Sequence, residues 1–127
     1  SVTGVQTCAL PIFFAPISGY SAFGSYTGNG SDDGIFIYLG FKPRFIMIKR
    51  TDTTADWVIY DSARDTYNVN TLTLYPNLSS AEGVVNPAND FLSNGFKARN
   101  LTSTFNASGG TYIYAAFGDA FKFSNAR

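Results

Sequence analysis

An all-β fold, an antiparallel sandwich of jelly-roll type, is what this sequence predicts, with a small closed β-barrel as the alternative. Three observations carry the prediction. Short β-branched and aromatic runs recur along the chain, such as "IFIYL", "FIMIKRT" and "TYIYAAF", and these residue types suit a pleated surface. Clusters of Gly, Asn, Asp and Ser, such as "GNGSDDG" and "SGG", punctuate them as turns. No stretch repeats apolar residues at helical spacing over a useful length.

The elements follow in order. The opening "SVTGVQTCALPI" has no charge and no clear period. Residues 2–12 back-translate into a string that resembles the adapter of short-read sequencing libraries, and Phe13 fits the next base. Residues 1–12 are therefore read as an adapter-derived artefact in an environmental gene fragment and excluded from fold reasoning; the alternative is a natural N-terminal arm. Residues 13–127 are expected to form a single β-sandwich domain, the C-terminal part of a longer protein. "AFGSYT" alternates large and small residues, and the turn "GNGSDDG" follows it. "IFIYL" is a strong strand signal. "GFKPR" turns the chain, because Pro43 fixes its own backbone angle and cannot donate to a ladder.

"FIMIKRT" and "WVIYD", joined by a short polar link, are the best hairpin in the sequence. "TLTLY" alternates with period two, as a half-buried strand does. The flanking stretches "SARDTYNVN" and "NLSSAEGVVNPANDFLSNG" read as irregular, although "FLSNGFKAR" suggests two strand ends around the Asn94–Gly95 turn. In "TYIYAAF", Ile113, Ala115 and Phe117 share one face, and Tyr112 and Tyr114 the other. "GFKPR" and "GFKAR" are each read as a strand start, with Gly making the bend, Phe anchoring the core and the basic residues facing water.

Composition narrows the function. Hydrophobic residues are 45% of the chain and aromatics 17%, so a packed core is expected rather than disorder. The formal net charge is +0, which leaves no basic excess to neutralise phosphates, so no nucleic-acid partner is expected. No run of 18 apolar residues marks a membrane span, and no membrane partner is expected. The only cysteine is Cys8, in the adapter-like segment, and His is absent. A His-based triad and a Cys or His zinc site are thereby excluded within the domain, and no disulfide can staple it.

Few groups are left to carry chemistry. Asn29, Ser31, Asp32 and Asp33 invite a calcium reading, but Gly40 stands where a bidentate Glu would close the loop, so a polar turn is the better account. No metal and no cofactor are expected. In "YDSARD", Asp61 and Asp65 are a carboxylate pair, with Arg64 between them to pin one. No second feature supports catalysis, so no catalytic residues are assigned and the chain is read as no enzyme. The aromatics offer flat amphipathic faces. Trp57, Tyr60, Asp61, Tyr112 and Tyr114 are the candidate ligand-binding residues, for a sugar or a protein partner. Three N-glycosylation triplets, at Asn77, Asn100 and Asn106, read as chance in an Asn-, Ser- and Thr-rich chain.

Taken together, "FGSYTGNGSDDG", "GFKPRFIMIKRTD", "WVIYDSARD", "FLSNGFKAR", "NASGGTYIYAAF" and "FKFSNAR" resemble an uncharacterised domain found near the end of bacteriophage tail and other virion structural proteins. The resemblance covers the chain from about Phe23 to Arg127. It implies a virion location on the particle exterior, other virion proteins or further copies of the chain as partners, and Arg127 as the native C-terminus. It supplies no catalytic or ligand residues. The expected function is a non-enzymatic tail or fibre-like module for assembly or surface presentation. The alternative is a lectin-like module that binds a host-surface glycan.

Overall fold

The computed structural model describes residues 17–118, with no helix among them. The readings of residues 1–12 and of Arg127 lie outside the described residues. Eight strands follow in chain order: β1 (Ser21–Thr27), β2 (Phe36–Tyr38), β3 (Phe45–Arg50), β4 (Val58–Asp61), β5 (Asn70–Thr73), β6 (Gly83–Leu92), β7 (Gly95–Ala98) and β8 (Thr111–Phe117). They make two four-stranded sheets, ordered β1-β8-β3-β4 and β2-β7-β6-β5. Every neighbouring pair is antiparallel.

The nested pairing of β1 with β8 and of β2 with β7 is the wrapping of a jelly roll. A jelly roll would next pair the third strand with the sixth; here β3 pairs with β4, and β5-β6-β7 is a meander. The sheets are not closed into a barrel. One edge is stitched by a single bridge, in which Ile59 and Leu74 exchange backbone bonds of 2.9 and 3.1 Å.

The core forms because each strand turns alternate residues inward. Ile46 and Ile48 of β3, Val58 and Tyr60 of β4, and Tyr112 and Ala116 of β8 are all at 0–1% exposure. They meet Ile37, Phe91 and Phe96 of the second sheet. Each such large apolar side chain contributes about 1.5–3 kcal/mol by leaving water. Tyr26 stacks on Tyr112 with centroids 5.0 Å apart, and Phe105 packs edge-on to Tyr60 at 5.9 Å.

One end of the sandwich is closed by a polar knot. Asn106 is fully buried. Its amide donates to Asn29 Oδ1, Ser31 O and Asn100 O at 2.8–3.0 Å, and its Oδ1 accepts the Asn29 N–H at 3.0 Å. The Tyr26 hydroxyl donates to Phe105 O at 2.7 Å, and that of Tyr112 to Ser103 O at 2.8 Å. The buried Asn106 amide has no room for a glycan, so that triplet is structural in the folded domain.

The β3–β4 hairpin has the expected antiparallel register, with Ile46 opposite Tyr60. Three details differ from the sequence reading. Trp57 precedes β4 instead of opening it. "GFKPR" lies in the loop before β3, where Gly40 takes φ +83°, while "GFKAR" opens β7; both phenylalanines, Phe41 and Phe96, are buried as expected. The polar stretch after Tyr75 contains β6, a ten-residue strand. Its buried Asn89 accepts a bond from Asn70 Nδ2 on its Oδ1 at 2.9 Å, while its own Nδ2 is buried with no hydrogen-bond partner.

Candidate functional site: the outer face of the first sheet

The strands that supply the core also carry apolar residues on their opposite face. Register places them in rows across β1, β8 and β3. One row is Phe23–Ala115–Met47, continued by Ile59 of β4. The next is Ser21–Phe117–Phe45, ending at Asp61 of β4. Ile113 adds a third position, 43% exposed.

Phe117 lies edge-on to Phe23 at 5.7 Å and tilted against Phe45 at 5.9 Å. Small Ala115 between these rings leaves a hollow of about 610 Å³, with Met47 on its floor and Trp57 at its rim. A smaller hollow of about 250 Å³ continues past Trp57 to Pro76 and Asn77.

The outer face of the second sheet is built differently. Lys97, opposite Phe36 on β2 and Asp90 on β6, pairs with Asp33 at 2.8 Å. Arg99 pairs with Asp90 at 2.9 Å. That face sets these ion pairs beside exposed Phe36, Tyr38 and Val84. The large hollow on the first sheet is lined by no charged side chain and no amide.

The five candidate ligand residues do not converge. Trp57 is half-buried at the rim of the hollow. Tyr60 and Tyr112 are at 0% exposure between the sheets, so neither can meet a ligand, and burial pushes the Tyr60 phenol up. Tyr114 also points inward, edge-on to Phe96 at 5.7 Å, and burial raises its phenol. The correction has a physical reason. β8 is apolar on both faces, so alternation separates its two residue sets without saying which of them faces in.

Asp61 faces outward but is engaged: Arg64 Nε donates to it at 2.6 Å, and the N–H groups of Ala63 and Arg64 at 3.0 and 2.8 Å. Arg64 is held from the other side by Glu82. Asp65 accepts from the backbone of Thr71 and Leu72 and from the Thr71 hydroxyl. Both carboxylates are therefore turn fasteners. Burial alone would raise the Asp61 carboxyl, but the bonds from Arg64 and from the backbone outweigh it and hold the group below its ordinary value.

A carboxylate depressed by folding contributes stability that is present above the unfolded value, about 3.9, and lost as pH falls through the folded one. Asp61→Asn should therefore lower the thermal midpoint at pH 7 and leave little difference at pH 2. Melts taken across that range check it; a constant gap at every pH would contradict the assignment.

The Asp32–Asp33 cluster is a polar turn. Asn29 Oδ1 accepts the Ser31 N–H, and Ser31 Oγ the Asp33 N–H, each at 3.1 Å. No group of three or more metal-ligating side chains occurs among the described residues.

Phe23, Phe45, Met47, Ile113 and Phe117 were not among the candidate ligand residues named from sequence, although Ile113 and Phe117 were placed on one face of their strand. The signal that could have found them is the consecutive apolar residues in "FIMI" and "YIYAAF", since a strand apolar on both faces needs cover on both. No described helix is long and apolar enough to cross a membrane. A family model described as "Domain of unknown function (DUF7483)" matches residues 5–120. No curated protein and no solved structure matches the chain.

Proposed function

We propose, from the premise that the chain belongs to the DUF7483 family, that it is a non-enzymatic structural module of a phage virion. Its working surface is the outer face of the first sheet, which packs against protein. The virion setting rests on the resemblance of the sequence blocks to tail and virion proteins. The packing surface rests on one observation: the outer face of the second sheet mixes ion pairs with scattered exposed apolar side chains, whereas that of the first holds a contiguous apolar hollow. Apolar patches of this kind mark interaction sites. A sugar site needs several polar groups that fix hydroxyls around a stacking ring, and of the residues lining the large hollow only Trp57 and Tyr114 carry a side-chain hydrogen-bonding N–H or O–H. Engagement of Asp61 and Asp65 by Arg64 and by backbone supports the non-enzymatic reading.

Met47→Lys is the direct test. A lysine on the floor of the hollow would have to be buried unpaired when the partner docks, which costs several kcal/mol. Incorporation of the natural protein into purified particles, read by mass spectrometry, should fall at least about tenfold, the equivalent of about 1.4 kcal/mol. The melting temperature of the isolated domain should change little. Undiminished incorporation of M47K would reject the reading.

The glycan alternative retains one supporting observation. Trp57 sits beside Asn77 and Asp56, linked by bonds of 3.0 Å from the Trp57 N–H to Asn77 Oδ1 and 3.1 Å from Asn77 Nδ2 to Asp56 Oδ1. Glycan-array binding that disappears in Trp57→Ala would favour it.

A further inference from the structure

We infer that β2 is a pairing edge through which two copies of the chain join, antiparallel about a two-fold axis at Ile37. β2 is the outermost strand of the second sheet and has β7 on one side only. Its bonds to β7 decide what it offers on the other. Ala98 N donates to Ile35 O at 3.0 Å, and Leu39 N donates to Asn94 O at 2.8 Å. Ile35 and Leu39 therefore turn backbone groups toward β7. Ile37 between them does the same, because direction alternates along an antiparallel strand. The N–H and C=O groups of Phe36 and Tyr38 point away from the sheet. No bond to any of them occurs among the described residues. An edge of this kind is a template for another strand, normally blunted by charge, proline or a bulge. "IFIYL" contains no charge and no proline, and its register with β7 runs unbroken from Phe36 to Tyr38.

The edge is complementary to its own reversed copy. With Ile37 opposite Ile37 of the second copy, Phe36 of each copy lies opposite Tyr38 of the other. Both members of such a pair turn N–H and C=O outward, so each pair exchanges both bonds, as in a hydrogen-bonded pair of an antiparallel ladder. The side chains follow. Phe36 is 39% exposed and Tyr38 69%, on the outer face, while Ile37 at 7% stays in the core. The register sets the Phe36 ring of one copy beside the Tyr38 ring of the other, and aromatic cross-strand pairs are stabilising. Charge agrees. Beyond Gly34 and Gly40, the same axis brings exposed Asp32 of one copy toward exposed Lys42 of the other. Neither takes part in an ion pair among the described residues. An uncharged strand with acid before it and base after it fits its own reverse, which an unrelated strand does only by chance. The inference goes beyond the first-sheet surface and does not depend on it.

The interface is small, in the class of weak contacts. It is therefore read at about 1 mM chain, where even a Kd of about 1 mM puts half of the chains in dimers. In the full 127-residue chain, amide exchange at Phe36 and Tyr38, followed by NMR, should slow at least about twofold between about 0.01 and 1 mM. The Ile37 amide, turned toward β7 throughout, should not change. Sedimentation should show a dimer that F36E/Y38E abolishes, because like charges then sit directly opposite across the axis. F36E/Y38K, which sets opposite charges there, should restore it. Both side chains are on the outer face, and Phe36 lies opposite Lys97, which tolerates a glutamate, so the melting temperature should move little. If the double variants do not fold, Tyr38→Pro, which removes only an outward N–H, gives the same loss of dimer. Exchange at Phe36 and Tyr38 that is independent of concentration overturns the inference, as does a dimer that F36E/Y38E leaves intact. A dimer lost in Met47→Lys instead overturns it while supporting the first-sheet surface.

Discussion

Asn106→Leu should destabilise the domain by about 3 kcal/mol or more, because it removes an amide that satisfies four partners at once. The side chain is fully buried and makes bonds to Asn29, Ser31 and Asn100 across two loops far apart in sequence. Leucine preserves the volume but leaves the Asn29 N–H and two carbonyls without that partner. A net cost of about 1 kcal/mol per lost bond understates the effect where the groups left behind stay buried. For a domain of this size each kcal/mol moves the thermal midpoint by roughly 4–8 °C, so a drop of more than about 12 °C is expected. The loss should be local in origin: hydrogen exchange should accelerate first in residues 28–34 and 99–110. A drop of a degree or two would mean that the knot is not structural.

Gly95→Ala should be comparably severe for a different reason. Gly95 opens β7 and lies opposite Tyr38 and Leu92. A Cβ built on it would collide with the Ile37 carbonyl oxygen and approach the Phe36 ring at 2.9 Å. The first obstacle is backbone in a neighbouring strand, so it cannot rotate away. Relief requires β2 to separate from β7, which gives up their ladder and displaces Ile37 from the core. Overpacking of this kind costs about 1–3 kcal/mol or more, and loss of the ladder adds to it. Urea unfolding should show a lower midpoint with an unchanged slope. By contrast, Gly109→Ala meets no atom within 4 Å, but its φ of +72° makes alanine strained there, so a smaller loss is expected.

Much of the fold was legible because its strands obey period two. The hairpin of β3 and β4 and the strand at Thr111–Phe117 follow from residue type and spacing, whereas the turn expected at Asn94–Gly95 lies one residue earlier, at Ser93 and Asn94, because Gly95 already pairs with Leu92 as the first residue of β7. β6 was not legible. Asn86, Pro87, Asn89 and Asp90 argue against a strand one by one, and the Asn70–Asn89 bond between buried side chains joins residues remote in sequence. The candidate site was legible only in part. Trp57 is at the surface, and Asp61 is pinned by Arg64 as the sequence suggested. Tyr60 and Tyr112, named as candidate ligand contacts, lie in the core instead, because where both faces of a strand are apolar, only the position of the second sheet decides which is interior. The same ambiguity hid Met47 and Phe45, whose neighbours Ile46 and Ile48 occupy the core.

The account depends on the outer face of the first sheet being covered by polypeptide in the working protein. Footprinting of Met47 and Trp57 in the natural full-length protein within purified particles tests this most directly. The account predicts that both side chains are shielded many-fold relative to the same protein unfolded in urea. Oxidation at the unfolded rate, in particles whose Tyr60 and Tyr112 remain protected, would contradict it.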